Sequence, residues 1–258
     1  MHSSPAGLTP RPRRHKIGVA LVLLALTVAA TVALGRWQLQ RAEEKRGILA
    51  SVEAGRQLAP LQLTAGLDRA ELVPWRPAAA TGRWLAERTV LLENRMAQGR
   101  PGFWVVTPLA LERGGGAVAV LRGWVPRPVP DAPVMVDTPT GPVTVRGELI
   151  PQIPRLLDLG ALGGHPEALP RPWPGPGSPP PRMQNLDLPS YGEAAGVGLL
   201  PVVLEQTGDA PDGLVREWAG PPTNVDTHRG YALQWFSFAA IAAIAFGVLL
   251  VRSLRSTH

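Results

Sequence analysis

Two long apolar stretches without a charged residue lie near the two ends of this 258-residue chain. Residues 17–34 form an 18-residue stretch, and residues 231–251 form a 21-residue stretch. As α-helices they would be roughly 27 Å and 32 Å long, close to the ~30 Å hydrocarbon core of a bilayer. The residues between them are polar, rich in proline and too charged to cross lipid. The pattern predicts a domain tied to a membrane at both ends.

The short tails indicate which way the chain crosses the membrane, because long domains translocate largely regardless of their charge. The first stretch has four basic residues on each side and does not decide the orientation. Arg252 and Arg255 follow the second stretch, whereas only Arg229 closely precedes it. Both tails are therefore expected in the cytoplasm, or in the matrix of an organelle, with the domain on the far side.

The predicted organisation has five parts. In chain order, these are a disordered basic tail, a first transmembrane helix, an extracytoplasmic domain, a second transmembrane helix and a cytoplasmic tail, over residues 1–16, 17–35, 36–228, 229–251 and 252–258. A cleaved signal peptide is the alternative for the first span. Its apolar core exceeds the ~7–15 residues of such peptides, which favours an uncleaved anchor.

Composition excludes several classes of function. The chain has no cysteine, so disulfides, thiolate nucleophiles and cysteine-ligated metal sites are absent. The net charge of +6 is not gathered into a basic run beside aromatic residues, so we expect no nucleic-acid partner. Solvated faces and membrane-lipid headgroups account for the excess of arginine.

The central region predicts a β-rich fold. Short runs rich in Val, Trp and Thr, separated by Gly and Pro, are typical of antiparallel strands; they lie at residues 89–92, 103–107, 117–125, 143–149 and 201–205. Residues 36–57 are expected to continue the first helix, residues 190–195 to form a short helix and residues 165–182 an exposed Pro/Gly loop. The predicted fold is membrane-anchored α+β, with two transmembrane helices flanking a mainly antiparallel, barrel-like domain.

Motifs of enzymes are missing. There is no P-loop, G-x-G-x-x-G, H-E-x-x-H or G-x-S-x-G sequence. No spacing marks a carboxylate pair among Asp187, Glu193, Glu205 and Asp209. The chain is therefore expected not to be an enzyme.

His228 is the histidine with a distinctive setting, three residues before the second apolar stretch. If the helix extends back to it, Tyr231 and Trp235 follow at i+3 and i+7 on the same face. Imidazole is a common axial ligand of haem iron, and Arg41 or Arg229 at the same depth could pair with the propionates. The alternative is an ordinary interfacial belt of His, Tyr and Trp.

Several segments together resemble one family, the Surfeit-locus (SURF-one, Shy-type) cytochrome c oxidase assembly proteins. The first is LGRWQLQR at residues 34–41, followed by Lys45. The central ones are LLENR at 91–95, GF at 102–103, TPL at 107–109 and RGWVP at 122–126. The last is His228 with YALQWF at 231–236, and order and spacing agree over residues 34–240.

The resemblance implies an assembly factor for the haem–copper oxidase that acts when haem a enters the catalytic subunit. For bacterial members it also implies haem a binding at a histidine, carried here onto His228. In the mechanism that we expect, Tyr231 and Trp235 would pack the ring and Arg41 would meet propionates. The implied partners are cytochrome c oxidase subunit I, haem A synthase and membrane lipid, and the implied location is the bacterial plasma (inner) membrane, with the domain on the periplasmic or outer side.

Other interpretations stay open. The chain could be a haem-free scaffold for oxidase subunits, or a membrane-tethered enzyme or sensor unrelated to respiration. Arg122 and Trp124 are expected to be structural, as a strand-end arginine beside a core tryptophan, with contact to a partner or a propionate as the alternative.

Overall fold

The structure is a computed structural model that describes residues 12–157, 167–218, 220 and 225–255. Parts of three predicted segments lie outside these residues: most of the N-terminal tail, the start of the 165–182 loop and the last three residues of the chain. The chain divides into two compact units, residues 50–219 on the one hand and residues 1–49 with 220–258 on the other.

The described residues form three α-helices and eight β-strands. The helices are α1 (Pro12–Arg56), α2 (Leu188–Ala195) and α3 (Val225–Arg255). The strands are β1 (Leu61–Leu63), β2 (Pro77–Trp84), β3 (Val90–Ala97), β4 (Arg100–Leu111), β5 (Ala117–Pro126), β6 (Pro142–Ile150), β7 (Arg182–Met183) and β8 (Leu199–Gln206).

The helices α1 and α3 contain the two predicted membrane spans. Both are long and apolar enough to cross a bilayer, by length and composition. The predicted continuation of the first helix through residues 36–57 is confirmed, since α1 runs unbroken to Arg56. The expectation that residues 12–16 belong to a disordered tail is wrong. Pro12 opens α1, because a proline at the first helical position has no N–H to leave unpaired and its fixed φ suits a helix.

The less exposed positions of both helices follow a heptad pattern. They alternate in steps of three and four, at 21, 24, 28, 31, 35, 38 and 42 on α1 and at 225, 228, 232, 235, 239, 242, 246 and 249 on α3. A 3.5-residue repeat is typical of two helices that pack along a common line with knobs-into-holes geometry. We call these two rows of residues the helix seam.

Two contacts show that the helices of the seam run antiparallel. Gln38 meets His228, and Gly35 faces Phe236. Moving back along α1 from residue 38 to 35 therefore means moving forward along α3 from residue 228 to 236. In an antiparallel pair, the N-terminal end of α1 and the C-terminal end of α3 lie at the same end of the seam.

The strands of the second unit close into a five-stranded ring. The order is β2, β6, β8, β5 and β4, and β4 pairs again with β2 through Leu109–Leu111 against Gly82–Trp84. Within this ring only β5 and β8 are parallel, and the other four pairings are antiparallel. β3 and β7 extend the sheet beyond β4, and β1 extends it beyond β2. The predicted mainly antiparallel, barrel-like domain between two apolar helices is confirmed.

The ring encloses one hydrophobic core and carries a second on its outer face. Leu109, Val120 and Leu204 are fully buried inside, where their strands alternate inward and outward. On the outer face, Tyr191 and Ala195 of α2 pack against the strands. The predicted helix at residues 190–195 is confirmed as part of α2. Its first turn is capped by Asp187, whose carboxylate accepts a hydrogen bond from the Ser190 N–H at 3.0 Å.

The five predicted strand runs all lie in or at strands, but sequence reasoning missed β2. Its sequence PAAATGRW has a single β-branched residue and so lacks the strand signal. The structure explains the small residues. Ala78 and Ala80 are buried inside the ring, and a Cβ at Gly82 would lie 2.0 Å from the carbonyl oxygen of Ala110. Small side chains therefore let β2 approach β4 and close the ring.

Candidate functional site

His228 lies in the first turn of α3. The helix begins at Val225, so it does extend back past the histidine. At 100° per residue, Tyr231 and Trp235 then lie within about 60° of His228 around the helix axis. The predicted sharing of one face is thus present. His228 and Trp235 are half-buried on the helix seam, and Tyr231 flanks the seam with half of its surface exposed.

The imidazole of His228 is held from the other helix. Its Nδ1 atom lies 2.7 Å from Oε1 of Gln38 on α1. An amide oxygen only accepts hydrogen bonds, so Nδ1 carries the proton and donates it. Nε2 then keeps its lone pair, the form in which a neutral imidazole binds a metal. Within the described part of the chain, no group hydrogen-bonds Nε2.

The aromatic residues near His228 form an exposed, apolar flank. Trp235 packs against Phe238 edge to face, with ring centroids 5.9 Å apart. Tyr231 and Phe238 keep 50% and 45% of their surface exposed. Rings presented in this way at the start of an apolar helix are able to cover a flat hydrophobic ligand or to face lipid headgroups.

Arg41 lies on α1, three residues beyond Gln38. One of its guanidinium nitrogens makes an ion pair with Glu44 at 2.9 Å, and the guanidinium lies 5.8 Å from the ring centroid of Trp37. The side chain is 53% exposed. Neither contact involves His228. The structure therefore places Arg41 one helical turn from Gln38, with a charge that is already partly balanced.

The donor set suits a macrocycle better than a bare metal ion. Among the described residues, no group of three or more His, Asp or Glu side chains is placed to hold a metal. A protein site for a free divalent ion needs about three or four such ligands. Haem iron takes four nitrogens from its own ring and needs one protein atom on a given side. Nε2 of His228, which no described residue hydrogen-bonds, fits that requirement.

The RGW segment of the domain is structural, as predicted. Arg122 is fully buried and donates to Thr138 Oγ1 at 2.7 Å, while its guanidinium lies 3.3 Å from Asp212 and stacks on Trp84. Burial lowers the pKa of Arg122, although Asp212 acts in the opposite direction. Trp124 is 1% exposed and donates its indole N–H to the Arg95 carbonyl at 2.9 Å. Neither residue is open to a ligand.

Comparison with known proteins identifies the family. A sequence model of the SURF1 family matches residues 25–240. The chain belongs to the SURF1 family. An uncharacterized SURF1-like protein of Mycobacterium bovis is 26% identical over 251 residues, covering 93% of this chain and 85% of that relative. A SURF1-like protein of Rickettsia felis is 30% identical over 105 residues, 40% of this chain and 45% of the relative.

A eukaryotic relative carries a more specific name. The cytochrome oxidase assembly protein SHY1 of Saccharomyces cerevisiae is 26% identical over 124 residues, which cover 47% of this chain and 32% of the yeast protein. The resemblance that the sequence motifs indicated is thus confirmed at the level of the family.

The two terminal motifs of this SURF1 family member meet in the structure. Gly35 and Gln38 come from the LGRWQ segment, and His228 and Phe236 come from the segment that opens the second span. The glycine faces the phenylalanine, and the glutamine bonds the histidine. Sequence reasoning chose His228 but missed Gln38. The available signal was that a polar residue stands at a heptad position otherwise filled by small or apolar side chains.

Sequence reasoning also missed an acidic pair, because its two members are far apart in the chain. Glu205 on β8 lies directly opposite Glu148 on β6. Arg56, at the end of α1, donates hydrogen bonds from two guanidinium nitrogens to the carboxylate of Glu148, over 2.9 to 3.2 Å. Burial, helped by the nearby Glu148 and opposed by Arg56, raises the pKa of Glu205 to about 7.

Proposed function

We propose that this chain is a membrane-anchored assembly factor of cytochrome c oxidase. Membership of the SURF1 family over most of the chain and the name of the yeast relative support this role. The two apolar helices support anchoring, and the scarcity of catalytic motifs supports a non-catalytic part in assembly. Subunit I of the oxidase and haem A synthase are the partners that such a role requires.

We further propose that the chain binds haem a and aids its insertion into the catalytic subunit of the oxidase. The observation that carries this proposal is the placement of His228, whose Nδ1 is hydrogen-bonded to Gln38 and whose Nε2 is hydrogen-bonded by no residue that the structure describes. His228 would hold the haem through Nε2, and the haem would supply an iron centre able to bind an imidazole nitrogen. Tyr231 and Trp235 would shield the macrocycle from water, and Arg41, with Arg229, would hold its carboxylates.

A single protein ligand suits delivery. Handing over a cofactor requires that the donor release it, and one iron–imidazole bond is easier to exchange than two. Tyr231 and Arg41 are each about half exposed, so neither residue would enclose a bound ring.

We propose the plasma (inner) membrane of a bacterium as the location, with two spans at residues 17–35 and 229–251 and residues 36–228 on the periplasmic or outer side. Arg252 and Arg255 in the last turn of α3 support a cytoplasmic C-terminus. The antiparallel helix seam supports placing both tails on that same side. Protease added to intact spheroplasts is expected to digest the central domain, and protection of that domain would overturn the orientation.

Colour provides the test of haem binding. The full chain is produced in a membrane together with the enzymes that make haem a, then purified in mild detergent. We expect a haem absorbance band in the wild type and the loss of most of it in His228→Ala. His15→Ala is the matched control, because it also removes a histidine. His15 lies on α1, 23 residues before Gln38, and takes no part in the bond between Gln38 and His228. Equal haem content in wild type and His228→Ala would overturn the assignment of the ligand.

A haem-free scaffold is the second candidate function. The observation that favours it is that Arg41 already has Glu44 and Trp37 as partners, which leaves less need for a propionate. A colourless wild-type protein that still captures oxidase subunit I would support the scaffold and contradict haem binding.

A further inference from the structure

The polar side chain of Gln38 is unexpected in the helix seam if the seam only packs two helices together. The neighbouring seam positions on α1 are Thr31, Gly35 and Ala42, and those on α3 after the histidine are Ala232 and Trp235. A leucine at position 38 would bury more apolar surface and would give up no solvation of an amide. A polar pair at this point therefore has a cost that must be offset by what the hydrogen bond achieves.

The hydrogen bond fixes three properties of the imidazole at once. It puts the proton on Nδ1, it holds the ring at one rotation about its side-chain torsions, and it directs electron density toward Nε2. Because the acceptor stands on α1 and the ring on α3, the restraint acts across the helix pair. Histidines that bind metals usually have such a partner on the second nitrogen, most often a carboxylate or a carbonyl oxygen.

We propose that Gln38 is the positioning residue of His228, holding the imidazole as the Nδ1–H tautomer so that Nε2 is presented to an iron-bearing tetrapyrrole. The purpose of this positioning rests on the haem-binding function proposed above. The tautomer itself does not, since it follows from the hydrogen bond between Nδ1 of His228 and Oε1 of Gln38 alone. Gln38 hydrogen-bonds the imidazole and acts through it, so it is a positioning residue and not itself a ligand.

The first experiment needs no haem. The full chain is labelled with ¹⁵N-histidine, purified in detergent and measured by NMR at about pH 8.5, where imidazoles are mostly neutral. The His228 signals are assigned by their loss in His228→Asn. We expect Nδ1 protonated and Nε2 unprotonated in the wild type. Gln38→Leu should shift the ring toward the Nε2–H form, and Gln38→Glu, whose carboxylate also accepts, should keep the wild-type pattern.

The second experiment measures haem. Wild type, Gln38→Leu and Gln38→Glu are titrated with haem a in detergent, and the iron–imidazole stretching band of the reduced complex is recorded. Loss of the partner on the second nitrogen typically lowers affinity by ~10- to 100-fold and weakens the iron–nitrogen bond. We expect both effects in Gln38→Leu and recovery of the band in Gln38→Glu. Gln40→Leu is the control, because Gln40 is an exposed neighbour whose side chain bonds Glu44 and not the imidazole.

The outcomes separate this inference from the proposed function. A wild-type tautomer pattern that persists in Gln38→Leu would overturn the inference, whatever the protein does with haem. Haem binding with the same affinity and band in wild type and Gln38→Leu would overturn it as well, while leaving haem binding intact. If the tautomer depends on Gln38 but the wild type takes up no haem, the positioning stands and the proposed ligand is wrong.

Discussion

Gly35 on α1 and Phe236 on α3 approach each other so closely that a Cβ atom at position 35 would lie 2.8 Å from the phenylalanine ring. The missing side chain lets a large ring fill the space at the centre of the seam. This contact lies one turn of α1 away from the bond between Gln38 and His228. The separation and alignment of the two helices at the candidate site therefore depend on it.

Enlarging Gly35 is expected to destabilise the helix pair. Gly35→Leu forces the ring of Phe236 aside, and overpacking of this kind costs about 1–3 kcal/mol. The measurement is thermal unfolding in detergent, where the transition of the helices should fall by several degrees. Gly247→Leu is the control, because nothing lies within 4 Å of its position. Adding Phe236→Ala to Gly35→Leu should recover much of the loss, and no recovery would contradict the contact.

The stability of the domain is expected to depend on pH through Glu205. Its pKa is about 7 in the folded chain, raised by burial and by Glu148 and lowered by Arg56. A carboxyl group with a raised pKa favours the folded state at low pH, and that advantage is lost as pH rises from about 4.5 through about 7. Glu205→Gln, which stays neutral, should therefore be more stable than the wild type at about pH 8.5 by about 2 kcal/mol, since partial exposure reduces the effect.

The test of Glu205 is urea unfolding of the full chain in detergent at several pH values. We expect Glu205→Gln and the wild type to differ little near pH 4.5 and to separate above about pH 7. Glu87→Gln, on an exposed turn, should follow the wild type throughout. A constant difference at every pH would show that packing, and not titration, causes the change.

The two tyrosines of the chain offer a matched pair of substitutions. Tyr191 is fully buried and donates its hydroxyl to the Arg88 carbonyl at 2.5 Å, whereas Tyr231 is 50% exposed. Tyr191→Phe leaves that carbonyl without its partner and should lower the unfolding free energy of the domain by about 1–2 kcal/mol. Tyr231→Phe should leave the domain's unfolding unchanged. Equal effects in denaturant unfolding would contradict the assigned role of the hydroxyl.

Ring closure is expected to depend on Gly82. A methyl group there would collide with the backbone oxygen of Ala110, which cannot swing aside as a side chain does. Gly82→Ala should therefore destabilise the domain by about 2–4 kcal/mol or prevent folding. Gly66→Ala, with open space around it, is the control. Circular dichroism and resistance to protease, compared between the two variants, give the result. Similar values for both would show that β2 and β4 have room to separate.

Short segments of the sequence were enough to predict most of the helices and strands of this protein. The lengths of two charge-free stretches predicted two long helices, and short Val- and Trp-rich runs predicted the strands β3, β4, β5, β6 and β8. The spacing of His228, Tyr231 and Trp235 placed them on one helical face. The length of a run, its residue types and the spacing along a helix are all local properties, so neighbouring positions are enough to reveal them.

The contacts between residues far apart in the sequence became known only from the tertiary structure. Strand β2 is built mostly of small residues because its backbone must approach β4 closely to close the ring, as the contact of Gly82 with Ala110 shows. Glu148 adds to the effect of burial in raising the pKa of Glu205 because strand pairing puts the two residues opposite each other across 57 positions of sequence. Gln38 and His228 stand 190 positions apart, and only the packing of two helices gives the imidazole its partner. Such contacts depend on distances in space, which no local pattern of residues encodes.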